Sequence, residues 1–183
     1  MEMKGERELP VDRATVWAML NDREVLKACV PGCESMIATG THSYDVLMNA
    51  AIGPVKARFK GQMSLIDIEP PIRYKLRFDG QSSQAGFARG EAAIELQEMS
   101  PQATRLRYAA TAQIGGKLAQ IGTRLIDAAA GATVDKFFEA FAVQLAERHT
   151  PSGTGGTTAA RAAARISLWG WLRSFLRHLL TRR

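Results

Sequence analysis

Strict two-residue alternation is the feature that most limits what this chain can fold into. Val55, Ala57, Phe59, Gly61, Met63 and Leu65 fall on one side of an extended segment, and Lys56, Arg58, Lys60, Gln62 and Ser64 fall on the other. Side chains on a strand point alternately to opposite faces. The pattern therefore predicts a long antiparallel strand with one face buried and one in water. Neighbouring segments repeat it. Tyr44, Val46, Met48, Ala50 and Ile52 alternate ahead of a Gly53-Pro54 turn, and Ile72, Tyr74, Leu76 and Phe78 alternate after Glu69-Pro70-Pro71. Ala92, Ile94 and Leu96 follow, then Leu106, Tyr108, Ala110 and Ala112 beyond Ser100-Pro101. Turn-forming residues between consecutive runs predict hairpin connections, that is, a meander.

Helical periods bracket this meander. Met3–Leu9 reads as a short strand, and Asp12 stands where an N-cap would open a helix over 13–20 with Val16, Met19 and Leu20 on one face. A second short helix over 23–30 ends at Pro31-Gly32. After Gly115-Gly116, Leu118, Ile121, Leu125, Ile126, Ala129, Ala132, Phe137, Phe138, Phe141 and Leu145 recur at steps of three or four. This predicts one helix of about 28 residues, or roughly 42 Å. Its middle, Ala128-Ala129-Ala130-Gly131-Ala132, has very small side chains.

Strand, two short helices, six strands and a long helix predict an α+β domain. In it a curved antiparallel sheet wraps around the C-terminal helix, the one element large enough to cover the apolar face. An elongated apolar cavity between the two is a preferred kind of ligand site. The lining expected from inward positions is Met48, Phe59, Met63, Tyr74, Leu76, Phe78 and Tyr108 from the sheet, with Leu118, Leu125, Phe137 and Phe141 from the helix.

Charge and chemistry narrow the function classes. The net charge is +6, but Met1–Glu147 holds 17 Lys+Arg against 18 Asp+Glu, and residues 148–183 hold 7 Arg and no acid. A near-neutral globular part argues against a nucleic-acid-binding domain. The N-terminus lacks an apolar signal region, and no run approaches ~18 consecutive apolar residues, so a reducing cytoplasmic setting is expected. Cys29 and Cys33 are too few for a disulfide framework. Their C-x₃-C spacing has no nearby His or second Cys pair to complete a zinc site, so structural thiols are expected and no metal. His42, His149 and His178 all lie off the apolar strand faces. With no inward histidine, a Ser/His/Asp constellation has no base, and no catalytic residue is predicted. Among carboxylate, His and Tyr, the inward face offers Tyr44, Tyr74 and Tyr108, each of which also fits a core role. Gly86-x₃-Gly90 and Gly115-Gly116-Lys117 lack the GK[ST] of a P-loop. They read as turns, with an anion at the helix start as the alternative for the second.

Several dispersed motifs resemble the CoxG family, named for the G subunit of carbon monoxide dehydrogenase, within the START/Bet v 1-like (SRPBCC) helix-grip superfamily. They are Val30-Pro31-Gly32-Cys33-Glu34, Ile52-Gly53-Pro54-Val55-Lys56, Phe59-Lys60-Gly61, Glu69-Pro70-Pro71, Gly86-Phe87-Ala88-Arg89-Gly90, and the run Gly115 to Gly122. The resemblance covers residues 1 to about 147 and implies a non-catalytic accessory protein with a hydrophobic-ligand pocket. It further implies a quinone or lipid as the bound ligand, no intrinsic cofactor, and a carbon monoxide dehydrogenase-type molybdenum hydroxylase as the partner brought to the membrane. A protein-only assembly or maturation factor is the alternative, and a cyclase or hydratase of the helix-grip type is a further one.

The tail carries its own chemistry. Three regions are expected: a domain over 1–147, a flexible linker over 148–160 rich in Gly, Ser and Thr, and a basic amphipathic helix over 161–183. On a helical wheel Leu168, Trp169, Trp171, Leu172, Phe175, Leu176, Leu179 and Leu180 share one arc, with Arg173 and Arg177 opposite and Arg182 and Arg183 at the end. The apolar stretch from Ile166 to Leu180 is about 22 Å as a helix, short of the ~30 Å hydrocarbon core. Trp, Leu and Phe opposite Arg is the composition of a helix lying in the plane of an anionic membrane surface, here the inner face of the cell membrane. Docking on a protein is the alternative.

Overall fold

The computed structural model describes residues 1–149. Seven strands and four helices follow in the order β1 (Glu2–Leu9), α1 (Arg13–Leu20), α2 (Arg23–Cys29), β2 (Cys33–Gly40), β3 (Ser43–Ile52), β4 (Val55–Glu69), β5 (Arg73–Ser82), β6 (Gly86–Ser100), β7 (Ala103–Gly115), α3 (Lys117–Gln120) and α4 (Thr123–His149). The strands form one sheet in the order β1-β7-β6-β5-β4-β3-β2, with every neighbouring pair antiparallel. The meander thus runs β2 to β7, and β1 closes on β7 because α1 and α2 carry the chain across. This is the α+β architecture expected from the alternation, and the helix-grip fold that the resemblance implies.

Local chemistry explains the element ends. Asp12 accepts from the Thr15 amide at 2.9 Å and from its hydroxyl at 2.7 Å, capping α1. Asp22 caps α2 through the amides of Glu24 and Val25 and also meets Arg148 at 2.8 Å, tying the last turn of α4 to the start of α2. At Gly32 φ is +76°, and a Cβ there would collide with the carbonyl of Asn49. The Pro31-Gly32 stop therefore presses directly on β3, and the Asn49 amide donates to Gly32 O at 2.8 Å.

Two expectations need correction. The C-terminal helix is not continuous from Gly115-Gly116: α3 has 4 residues, and α4, with 27, starts afresh after Gly122. Gly122 has φ +90°, a left-handed conformation that ends the α-helical run. Helical spacing of apolar residues continues across the break, which is why periodicity alone hides it. Residues 148 and 149, assigned by composition to the linker, end α4.

Neighbouring backbone comes closest where side chains are missing. A Cβ at Gly61 would collide with the Asp79 carbonyl, and one at Gly90 with the Thr111 carbonyl, so these positions let the long strands curl around α4. On the convex face, charges pair across strands: Arg105 with Glu8 (2.8 Å), Arg107 with Glu6 (3.4 Å), Arg77 with Glu91 (3.2 Å) and Lys75 with Asp67 (2.8 Å). Such a ladder leaves no continuous basic stripe for a phosphate backbone.

Candidate functional site

The concave face can be read as rows running across the sheet. One row is Met63, Phe78, Gly90 and Ala112; the next is Leu65, Leu76, Ala92, Ala110 and Met3; a third is Tyr74, Ile94, Tyr108 and Gly5. Large side chains occupy these rows on β4 and β5. On β6 and β7 the first two rows shrink to Gly90, Ala112, Ala92 and Ala110, a bare floor. The helical segment with the smallest side chains, Ala128–Ala132, lies in the N-terminal half of α4.

The core divides into separate clusters. One, at the α1–α2 end, holds Val16, Leu20, Val25, Leu96, Leu106, Phe141 and Leu145. Another, at the α3 end, holds Ala57, Phe59, Ala85 and Leu118, with Ile52, Val55, Ile114 and Ile121 against them. A third joins Leu26, Met36 and Tyr44 to Met63 and Phe137. A Cβ added to Gly131, the ninth residue of α4, would meet no atom within 4 Å. Gly90, Ala92, Ala110 and Ala112 are half-buried and belong to none of these clusters.

The expected lining residues distribute unequally. Met48, Met63, Leu76, Phe78, Tyr108 and Phe137 are half-buried on the concave side, as wall residues should be. Phe59 and Leu118 are buried together in the α3-end cluster and close that end. Phe141, at 0% exposure, and Tyr74, at 4%, are solid core instead of wall. Tyr74 meets Trp17 edge-on with ring centroids 5.6 Å apart, and burial pushes its hydroxyl well above the usual phenol range. Leu125 is a correction: half its surface is exposed, and it stands over the β3–β4 turn, its Cδ1 3.8 Å from where a Gly53 Cβ would be. The break at Gly122 rotates the first turn of α4 relative to α3, so Leu118 points in and Leu125 does not.

Sequence reasoning missed Arg7 and Asp135. Alternation in β1 places Met3, Gly5, Arg7 and Leu9 on one side, and Leu9 is buried, so Arg7 faces inward. It donates to Asp135 Oδ1 on α4 at 2.7 Å and lies 5.3 Å from the centre of the Phe138 ring. The signal was present in the pattern of β1, but a cation is none of the carboxylate, His and Tyr groups that acid–base chemistry calls for.

The family motifs turn out to build the fold. Glu34 accepts from both Arg58 and Asn49, and the Arg58 guanidinium beside it holds its carboxyl below the usual range. Gly86 and Gly116 lie back to back at the β6–β7 end, where the Leu118 amide donates to Ala85 O at 2.8 Å. Cys29 is buried and Cys33 half-buried, both thiols free and raised by burial, and no His/Cys/Asp/Glu group among the described residues could hold a metal. A trough of about 1020 Å³ crosses the convex face, floored by Ala93 and Ala109 and walled by Lys4, Glu6, Lys75, Glu95 and Arg107. Its rim carries both signs of charge, over a floor that is largely apolar. The membrane-binding residues expected in the tail, Leu168, Trp169, Trp171, Leu172, Arg173, Phe175, Leu176, Arg177, Leu179, Arg182 and Arg183, lie outside the described residues. No helix among the described residues is long and apolar enough to cross a membrane.

Comparison with known proteins gives the same fold from independent directions. A conserved protein from Geobacillus kaustophilus is 31% identical, with a TM-score of 0.77 over 80% of this chain and 96% of that one. A START superfamily protein from Mycobacterium smegmatis has a TM-score of 0.61 at 10% identity, covering 80% of this chain and 98% of the other. The ZhuI aromatase/cyclase from Streptomyces sp. R1128 has a TM-score of 0.61 at 12% identity, covering 85% and 99%; at that identity the likeness is one of fold alone. No curated protein matches the chain. The CoxG family, described as the G subunit of carbon monoxide dehydrogenase, matches residues 5–146. With its fold, its motifs in order and nearly the whole described domain covered, the chain belongs to the CoxG family.

Proposed function

We propose that this protein is a non-catalytic carrier that holds a hydrophobic ligand, of the quinone or lipid class, between the sheet and α4. In this reading it couples a carbon monoxide dehydrogenase-type molybdenum hydroxylase to the membrane. The observation that carries it is the bare floor of Gly90, Ala92, Ala110 and Ala112 on the concave face, with Gly131 of α4 opening onto free space. Apolar walls of this kind gain by covering apolar surface, at roughly 25 cal/mol per Å² removed from water. Family membership supports an accessory role. Tyr74, the most deeply buried tyrosine, has burial keeping its proton in place, which makes it a poor base.

The tail supplies the membrane side of the proposal. In this reading residues 161–183, with Trp, Leu and Phe set against Arg, hold the protein at the inner face of the cell membrane. The test is mass spectrometry of native extracts of the purified protein, paired with displacement of an apolar fluorescent probe. A copurifying quinone or lipid, probe displacement by it, and loss of both in Leu76→Trp are expected. A chain that carries no lipid and binds no probe would be a protein-only assembly factor instead.

A further inference from the structure

Among the described residues, strand alternation places one Lys or Arg on the concave face, and it stands beside an opening. Arg7 reaches from β1 to Asp135 on α4 at 2.7 Å, donates to Glu6 O at 2.9 Å, and covers the Phe138 ring. Phe138 in turn lies 5.9 Å from Tyr108, whose hydroxyl occupies the space a Cβ on Gly5 would need. These groups close one stretch of the seam between β1 and α4. One turn earlier on the same helix stripe, at spacings of four and seven from Asp135 and Phe138, is Gly131. There the seam is open, since a Cβ on Gly131 would touch nothing within 4 Å. The Arg7–Asp135 pair is itself accessible, with side chains 38% and 62% exposed. It is therefore a contact that solvent and an incoming head group can both reach.

The geometry points to the β1–α4 seam as the port of the cavity and to Arg7 as the polar anchor at that port. The group it selects is the acceptor oxygens of an amphiphile's head, quinone carbonyls or a carboxylate. This rests on the carrier reading above and names the chemistry of the ligand's polar end. A guanidinium offers donors only, so it rewards heads that accept and gives nothing to an ammonium. Asp135 holds those donors when the site is empty and competes with the head when it fills. The chain of the ligand then lies over Ala110 and Ala92, with its head at Arg7. Gly131 keeps the way clear.

The experiment uses the full chain and a decyl series: decane, decanoate, a decyl-substituted benzoquinone and decyltrimethylammonium, each displacing an apolar fluorescent probe. Wild type should bind the acceptor-headed members about tenfold or more tighter than the ammonium, as charge-assisted hydrogen bonds do. The stronger of decanoate and the benzoquinone tells a fatty-acid-like from a quinone-like ligand. Arg7→Leu should erase the head preference while decane binds as before, and Asp135→Asn should tighten the acceptor-headed members several-fold. Gly131→Leu should slow association with little change in final affinity for decane. The anchor is overturned if Arg7→Leu keeps the wild-type head preference, and the port if Gly131→Leu associates at the wild-type rate. Failure of decane and the probe to bind wild type would overturn the carrier reading itself. Normal decane binding with a head preference indifferent to Arg7 sinks this inference alone.

Discussion

The two ends of the concave face are made by the same strands with the same alternation, yet one is solid and the other is bare. On β6 and β7, Leu96 and Leu106 are paired in register and almost wholly buried, sealed by α1, α2 and Phe141. Four residues along those strands, Ala92 and Ala110 are paired in the same way and remain half-buried. Nothing in backbone geometry separates the two positions; the difference is side-chain volume on both facing walls. Period tells which face is apolar, and size tells whether that face is filled.

The largest expected effect is on the solid end. Phe141 is fully enclosed, so Phe141→Ala should cost about 3–5 kcal/mol in denaturant unfolding, whereas Leu125→Ala, on an exposed residue, should fall within about 1 kcal/mol of wild type. Similar losses at both would erase the distinction between core and rim.

Two glycines, one just before α4 and one within it, sharpen the comparison further, since neither has a neighbour within 4 Å of an added Cβ. Gly122 has φ +90°, so Gly122→Ala should destabilise by about 1–2 kcal/mol through backbone strain alone. Gly131 is helical beside open space, so Gly131→Ala should stabilise by up to about 1 kcal/mol. Thermal unfolding reads both signs, and a loss at Gly131 would mean that the space beside it is occupied.

The smallest effect concerns the tie between α2 and α4. The Arg148 hydrogen bond lowers the Asp22 carboxyl below its ordinary 3.8. A carboxylate with a depressed pKa in the fold contributes stability above its unfolded pKa and loses it as pH falls through the folded value. Wild type should therefore outlast Asp22→Asn at pH 7, by under about 1 kcal/mol for so exposed a pair, and the gap should close below about pH 4. A gap that persists unchanged at pH 3 would assign the effect to the cap alone.

Much of this was legible in the chain. Alternation from Tyr44 to Ala112 gives the meander, its faces and the helix cover, and Asp12 marks the first cap. The break at Gly122 was hidden because Leu118, Ile121, Leu125 and Ile126 keep helical spacing across a residue that leaves the helix. The status of Tyr74 and Phe141 as core was hidden too, because facing inward does not say what stands opposite; for Tyr74 that is Trp17, from an element far away in sequence. Arg7 was overlooked because a cation on an apolar face becomes intelligible only with Asp135, 128 positions later, beside it.

A bare floor of Gly90, Ala92, Ala110 and Ala112 should act as a cavity for an apolar guest. Titration of an apolar fluorescent probe into wild type and Ala92→Leu tests it most directly. Saturable binding to wild type is expected, weakened at least tenfold in Ala92→Leu, with the unfolding midpoint of the variant not lowered because the added methyl groups enter empty space. Absent binding in wild type, together with the loss of about 1–3 kcal/mol that overpacking a filled core brings to Ala92→Leu, would contradict it.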